Sequence, residues 1–128
     1  MTEAVLDTSA VLALIKEEAG GDTVRPLVAV SFISAVNFSE CVAKMVDWNS
    51  ADPQRAHSVL HLLDLTVIPF DIDLARRAGE LRAETRKAGL SFADRACLAL
   101  AEREGLPAVT ADQRWAGVDI GVEVRLIR

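Results

Sequence analysis

Short apolar runs alternate along this chain with longer stretches whose apolar residues recur at helical spacing, and few folds accommodate that alternation. Ala4-Val5-Leu6, Val28-Ala29-Val30 with Phe32, Thr66-Val67-Ile68, Pro107-Ala108-Val109-Thr110 and Glu123 to Ile127 read as five strands. Helices are predicted between them. The first holds Ala10 to Ile15, with Thr8 and Ser9 as candidate caps, and the second runs from a cap near Ser34 to about Trp48. Asp52-Pro53 pairs an N-cap with proline at the first helical position, and Ala56, Val59, Leu60 and Leu63 continue that helix. Leu74, Ala75, Ala78 and Leu81 share one face of a helix from Asp71 to Lys87, stopped by Gly89. Ser91 to Glu104 forms another, ended by Gly105, and Ala111 to Trp115 is a turn or single coil. Parallel strands need such crossovers, and right-handed crossovers are the rule, so the expected architecture is a three-layer α/β/α sandwich around a mostly parallel sheet of about five strands.

A chain of 128 residues is the size of one domain, expected to span 1–128, and can bury roughly two thirds of its unfolded surface. With 51% hydrophobic and 26% charged residues it is neither a disordered nor a membrane composition. No apolar run approaches a membrane span, and Met1-Thr2-Glu3 lacks the basic start of a secretory signal, so cytoplasmic residence is expected. Cys41 and Cys97 follow no paired spacing and read as buried free thiols. The net charge of −5 argues against a protein that coats nucleic acid, unless bound cations neutralise a cluster of acids.

In open α/β sheets ligands bind beyond the carboxyl ends of strands, where strand order reverses. Asp7 ends the first strand and Asp112 follows the strand ending at Thr110, which puts both at that edge. Asp94 lies in the first turn of its helix, and Glu40 lies inside a helix that begins at the same edge. Each acid also has a purely structural reading. Ser91 and Asp94 match a capping box, Asp7 suits an Asx turn, and Asp112 suits a cap on the following coil. Glu40 is harder to dismiss, because it is flanked by Val36, Ala43 and Val46 and a half-buried acid needs a partner. Convergence of the four would raise their pKa values and destabilise the fold unless a cation intervened. An all-oxygen set without nearby Cys or His suits Mg²⁺ or Mn²⁺, ions able to activate water for displacement at phosphorus.

Val5-Leu6-Asp7-Thr8-Ser9-Ala10, Ser34-Ala35-Val36-Asn37-Phe38-Ser39-Glu40, Leu90-Ser91-Phe92-Ala93-Asp94 and Val109-Thr110-Ala111-Asp112 together resemble the PIN-domain family, most closely its VapC toxins, across essentially the whole chain. The resemblance implies a divalent-metal-dependent endoribonuclease with Asp7, Glu40, Asp94 and Asp112 as its catalytic acids and Asp7, Asp94 and Asp112 as metal ligands. It implies Thr110, Ser9 and Asn37 as supporting residues, with helix capping as the plainer alternative for the last two. RNA is the implied substrate, a VapB-like antitoxin the implied partner, and a homodimer the implied assembly. An antitoxin arginine would pair well with the acids.

Arg95 and Trp115 are candidates for RNA contact, Trp115 by stacking on a base or, alternatively, as core packing. Arg76, Arg77, Arg82, Arg86 and Lys87 stand beside Glu80 and Glu84 and read first as a salt-bridged face. His57 and His61, one turn apart, read as surface residues. Three rival functions remain open: a PIN-like housekeeping nuclease, another phosphoryl-handling fold and a non-catalytic module binding a basic peptide. The second fits poorly, because Ser9 stands where an aspartate-nucleophile phosphatase wants a second Asp, and no late lysine suits a receiver.

Overall fold

The computed structural model describes residues 1–48 and 52–128. Five strands, β1 (Ala4–Leu6), β2 (Ser31–Ser34), β3 (Thr66–Ile68), β4 (Ala108–Thr110) and β5 (Val124–Leu126), form one sheet in the order β3-β2-β1-β4-β5. Every pairing is parallel. The crossovers carry α1 (Thr8–Ile15), α2 (Gly21–Val24), α3 (Ala35–Asp47), α4 (Pro53–Leu62), α5 (Ile72–Glu80), α6 (Arg82–Thr85) and α7 (Phe92–Glu104).

The period of two along each strand separates two cores. Ala4, Leu6 and Val109 pack with Val11, Leu12, Cys41, Met45 and Leu60 on the face covered by α1, α3 and α4. Val5 and Ala108 pack with Leu74, Leu81, Leu98, Leu100 and Trp115 on the opposite face, beneath α5 and α7. All of β1 is therefore buried, and its carboxyl end is held on both sides by β2 and β4. Because β2 and β3 extend the sheet one way and β4 and β5 the other, strand order reverses between β1 and β4. A crevice is expected there.

Several local expectations hold in detail. Ser34 caps α3 through Val36 N–H, Asp52 caps α4 through Arg55 N–H, and Gly105 ends α7 at φ +65°. Both cysteines are free and buried. Others need correction. Residues 28–30, expected as strand, belong to a 3-10 turn over Arg25–Val30 that begins with Pro26 near its first position. The partner strand explains this: β1 starts opposite Ser31, and of Val28-Ala29-Val30 only the Val30 carbonyl meets that edge, accepting the Glu3 N–H at 2.7 Å. Asp71 to Lys87 is not one helix, because the chain turns at Leu81. The Thr85 hydroxyl donates to the Leu81 carbonyl at 2.8 Å, a back-bond that bends helices, and both side chains are directed inward. Thr8 and Ser9 are not caps but the first residues of α1, whose N-cap is Asp7.

Candidate active site

Asp7 lies at the crevice between β1 and β4. Its side chain does not cap α1. Instead Oδ2 accepts from Ser9 Oγ at 2.7 Å and from Thr110 Oγ1 at 2.8 Å, while Asn37 Nδ2 lies 3.4 Å from Oδ1. Asn37 Nδ2 also donates to Thr8 Oγ1 at 3.0 Å and to the Ala93 carbonyl at 3.2 Å, so this one amide joins α1, α3 and α7. Ser9 Oγ accepts the Ala111 N–H and Thr110 Oγ1 accepts the Asp112 N–H, which fixes the loop after β4. Every hydrogen-bond donor that reaches Asp7 among the described residues is neutral. With 2% of its surface exposed, burial pushes its pKa from 3.8 up to about 6. The Ser9 and Thr110 hydroxyls pull against that rise, and the charges of Asp94 and Glu40 add to it.

Asp94 is 8% exposed and takes part in a complete capping box: its Oδ2 accepts the Ser91 N–H at 2.8 Å and its own N–H donates to Ser91 Oγ at 3.2 Å. Burial raises its pKa, the Ser91 contacts lower it, and Asp112 raises it again. The capping-box reading of Asp94 is thus met by both of its hydrogen bonds. Asp112 caps a 3-10 turn over Gln113–Gly117, and Arg114 holds its pKa below the usual carboxylate range through hydrogen bonds. Glu40 is half-buried on α3, one turn beyond Asn37 and on the same face.

Asp7, Glu40, Asp94 and Asp112 line one cleft of about 470 Å³. Its rim carries Lys16, Lys44, Arg114 and Arg128, an acidic floor under a basic mouth. Sequence reasoning missed these four cations. Arg114 had a readable signal in its position two residues after Asp112, as did Lys44 one turn beyond Glu40 on its helix, whereas Lys16 and Arg128 are brought in only by the crossovers.

The donor set fits a hard divalent ion, since it consists of carboxylates, hydroxyls and an amide. A buried Asp7 without an ion pair among the described residues is a second point in favour, as is the buried Asn37 Oδ1, which has no partner among them either. The side chains are not yet gathered around a point: among the described residues no three acids, histidines or cysteines stand together as an ion cage. Asp94 Oδ2 accepts at its helix start, and Asp112 accepts from Arg114.

The PIN-domain family model matches residues 4–121. The chain belongs to the PIN-domain family. No curated protein sequence matches it, but solved structures do. DNA-bound VapBC from Salmonella typhimurium aligns over 100% of both chains with a TM-score of 0.76 at 19% identity. A toxin–antitoxin complex from Klebsiella pneumoniae aligns over 94% of this PIN domain and 95% of that chain, with a TM-score of 0.71 at 22% identity. VapC20 from Mycobacterium tuberculosis, described as a sarcin–ricin-loop-cleaving toxin, covers 94% and 98% with a TM-score of 0.71 at 18% identity. At such identities the likeness is one of fold.

Two candidate residues of this PIN domain lie away from the cleft. Trp115 is 0% exposed within the core beneath α5 and α7, so no base can stack on it. Its 3-10 turn directs the indole inward, and that packing decides its place. Arg95 donates to the Ala78 carbonyl at 2.9 Å and lies beside the Phe92 ring, which ties it to α5 rather than to the cleft. Arg76 and Arg77 pair with Glu80, and Arg77 also with Glu102, in agreement with a salt-bridged face. His57 and His61 stack on each other on exposed positions of α4.

Proposed function

We propose that this PIN domain is a divalent-metal-dependent endoribonuclease and the toxin of a VapBC-type toxin–antitoxin pair. The observation that carries the proposal is the meeting of four acids from β1, α3, α7 and the loop after β4 in one cleft, with Asp7 buried among neutral donors. In this reading Asp7, Asp94 and Asp112 hold Mg²⁺ or Mn²⁺. Such an ion supplies an activated water and a counter-charge for the phosphoryl oxygens.

The protein's own part is to orient and to exclude. Ser9, Thr110 and Asn37 fix the rotamer of Asp7, and the buried β1 behind it keeps water from the rear of the site. Glu40, half-buried at the cleft wall, is placed to accept a proton from the attacking water. Lys16 and Lys44 on the rim are placed to meet RNA phosphates as they approach an otherwise acidic molecule. RNA as substrate is supported by the cleaving activity given for VapC20, and an antitoxin partner by the VapBC complexes that share the fold. We further propose a VapB-like antitoxin that presents a basic side chain to the cleft, a homodimeric assembly and action in the cytoplasm. Among the described residues no helix is long and apolar enough to cross a membrane.

One observation favours a second reading, a non-catalytic module that receives a basic peptide: Arg114 already places a guanidinium on Asp112 and near Asp94. Asp7→Asn separates the two. A folded Asp7→Asn protein is expected to lose RNA cleavage and growth arrest in cells; retention of both would overturn the nuclease proposal.

A further inference from the structure

Arg114 makes an unusually complete set of contacts for a side chain at the mouth of a cleft. Its Nη2 donates to Asp112 Oδ2 at 2.7 Å, its Nε lies 3.1 Å from both Asp112 oxygens, and its backbone N–H donates to Asp112 Oδ1 at 3.0 Å. Both oxygens of that carboxylate therefore accept from Arg114. Nη2 also lies 3.7 Å from Asp94 Oδ2, while Nη1 donates to the Gly89 carbonyl at 2.9 Å. The guanidinium thus bridges the loop before α7 and the loop after β4 across the opening of the site. Gly89 sits at φ +70°, a conformation suited to glycine, and this turns the loop past the guanidinium.

We propose that Arg114 is a positioning residue that serves as the built-in counter-ion of the acidic cluster, and that a divalent cation must displace it from Asp112 and Asp94 to bind. The inference rests on the metal-dependent reading above and adds to it a competition inside the chain. Three observations support it. A guanidinium seated 2.7 Å from Asp112 and 3.7 Å from Asp94 carries the same sign of charge as a divalent ion, so an ion entering between those two carboxylates is repelled until the fork moves away. No ion cage exists among the described residues while Arg114 is seated. Moreover, Asp112 and Arg114 are only two residues apart, so the pair re-forms readily once the ion leaves. The Gly89 carbonyl gives the guanidinium an anchor at the mouth that is independent of the two acids.

Competition predicts two effects of opposite sign from one substitution. Arg114→Ala is expected to lower the melting temperature of the full chain in EDTA, because Asp94 and Asp112 then repel each other without a counter-ion. The same variant is expected to bind Mn²⁺ roughly three- to ten-fold more tightly than the parent, the range set by losing one partly exposed charge-assisted pair. Binding is measured with Mn²⁺ alone, by calorimetry and by the metal-dependent rise in melting temperature, at fixed ionic strength because both interactions are screened by salt. A merely structural arginine would give the first effect without the second. Equal or weaker Mn²⁺ binding by folded Arg114→Ala would overturn the inference while leaving the nuclease reading intact. Absence of Mn²⁺ binding by both proteins at millimolar concentration would overturn the nuclease reading and the inference with it. Should Arg114→Ala not fold, Arg114→Gln keeps much of the side chain's length without its charge, is expected to tighten Mn²⁺ binding in the same range, and refutes the competition if it does not.

Discussion

The buried carboxylate of Asp7 is expected to weaken the fold that holds it, and the size of the effect follows from its environment. Burial moves its pKa from 3.8 to about 6, and each pKa unit corresponds to about 1.4 kcal/mol, so the ionised group costs the metal-free protein about 3 kcal/mol at neutral pH. The folded state holds the Asp7 proton more tightly than the unfolded state does. Its contribution is therefore fully favourable below about pH 4 and is lost as the pH rises through about 6. Asp7→Asn removes the charge at nearly constant shape. Part of the gain is offset, because the introduced amide lacks one of the oxygens facing Ser9, Thr110 and Asn37, and a weakened hydrogen bond costs about 1 kcal/mol. A net stabilisation of about 1 to 2 kcal/mol at pH 7.5 in EDTA follows, or a rise of about 3 to 8 °C in melting temperature for a chain of this size. The difference should shrink toward pH 4.5, where the parent's Asp7 is protonated. With millimolar Mn²⁺ at pH 7.5 the order should reverse, since only the parent gains a ligand that binds the native state. Thermal melts of both proteins at the two pH values, with EDTA or Mn²⁺, test all of this. A variant less stable than the parent in EDTA at pH 7.5, or a gap independent of pH, would refute the electrostatic account of Asp7.

Two other substitutions separate the site from the core. Thr110→Val removes a hydroxyl that donates to Asp7 and accepts from the Asp112 N–H; it should lower stability by about 1 to 3 kcal/mol in urea melts and raise the Asp7 pKa further, since the lost bond favours the ionised form. A carbon-detected NMR titration of Asp7 reads the second effect directly, and an unchanged or lower pKa would contradict it. Trp115→Ala, by contrast, should cost about 3 to 5 kcal/mol through the cavity it leaves, with RNA cleavage per folded molecule unchanged below the melting transition; a selective loss of RNA affinity would show that the core account of Trp115 is wrong.

What the sequence showed and what it hid divide along physical lines. The strand ends and helix caps that place Asp7, Asp94 and Asp112 are local signals: β-rich triplets, Ser91 with Asp94, Asp52 with Pro53. They were legible because a few neighbouring residues decide them. Val28-Ala29-Val30 looked equally strand-like, yet its conformation depends on whether a partner strand reaches that far, and β1 does not. The bend at Leu81 was hidden for a related reason, since apolar spacing continues through it while the Thr85 back-bond and inward packing are tertiary. Trp115 and Arg95 stand as candidates for RNA contact in the sequence through their nearness to Asp112 and Asp94. A residue three positions further along a tight turn, or one along a helix, faces elsewhere, so nearness in sequence was a poor guide. The chemistry of Arg114 was visible as a cation beside an acid, but its bridge to Gly89 joins segments 25 residues apart and needed the fold.

The arrangement of the cluster also bears on why these acids can coexist in a protein of net charge −5. They are not equivalent. Asp7 is held by neutral donors, Asp94 by its helix start, and Asp112 by a guanidinium, so each carboxylate is stabilised by a different device. Those devices differ in what it takes to release them. The Asp7 contacts come from β4, α1 and α3 and are tied to both cores, which makes Asp7 the rigid member of the set. Asp112 is held by a single side chain with about half its surface in water, the most easily exchanged of the three. Under the metal-dependent function proposed above, that asymmetry lets the buried acid define the position of a cation and the half-buried one respond to it.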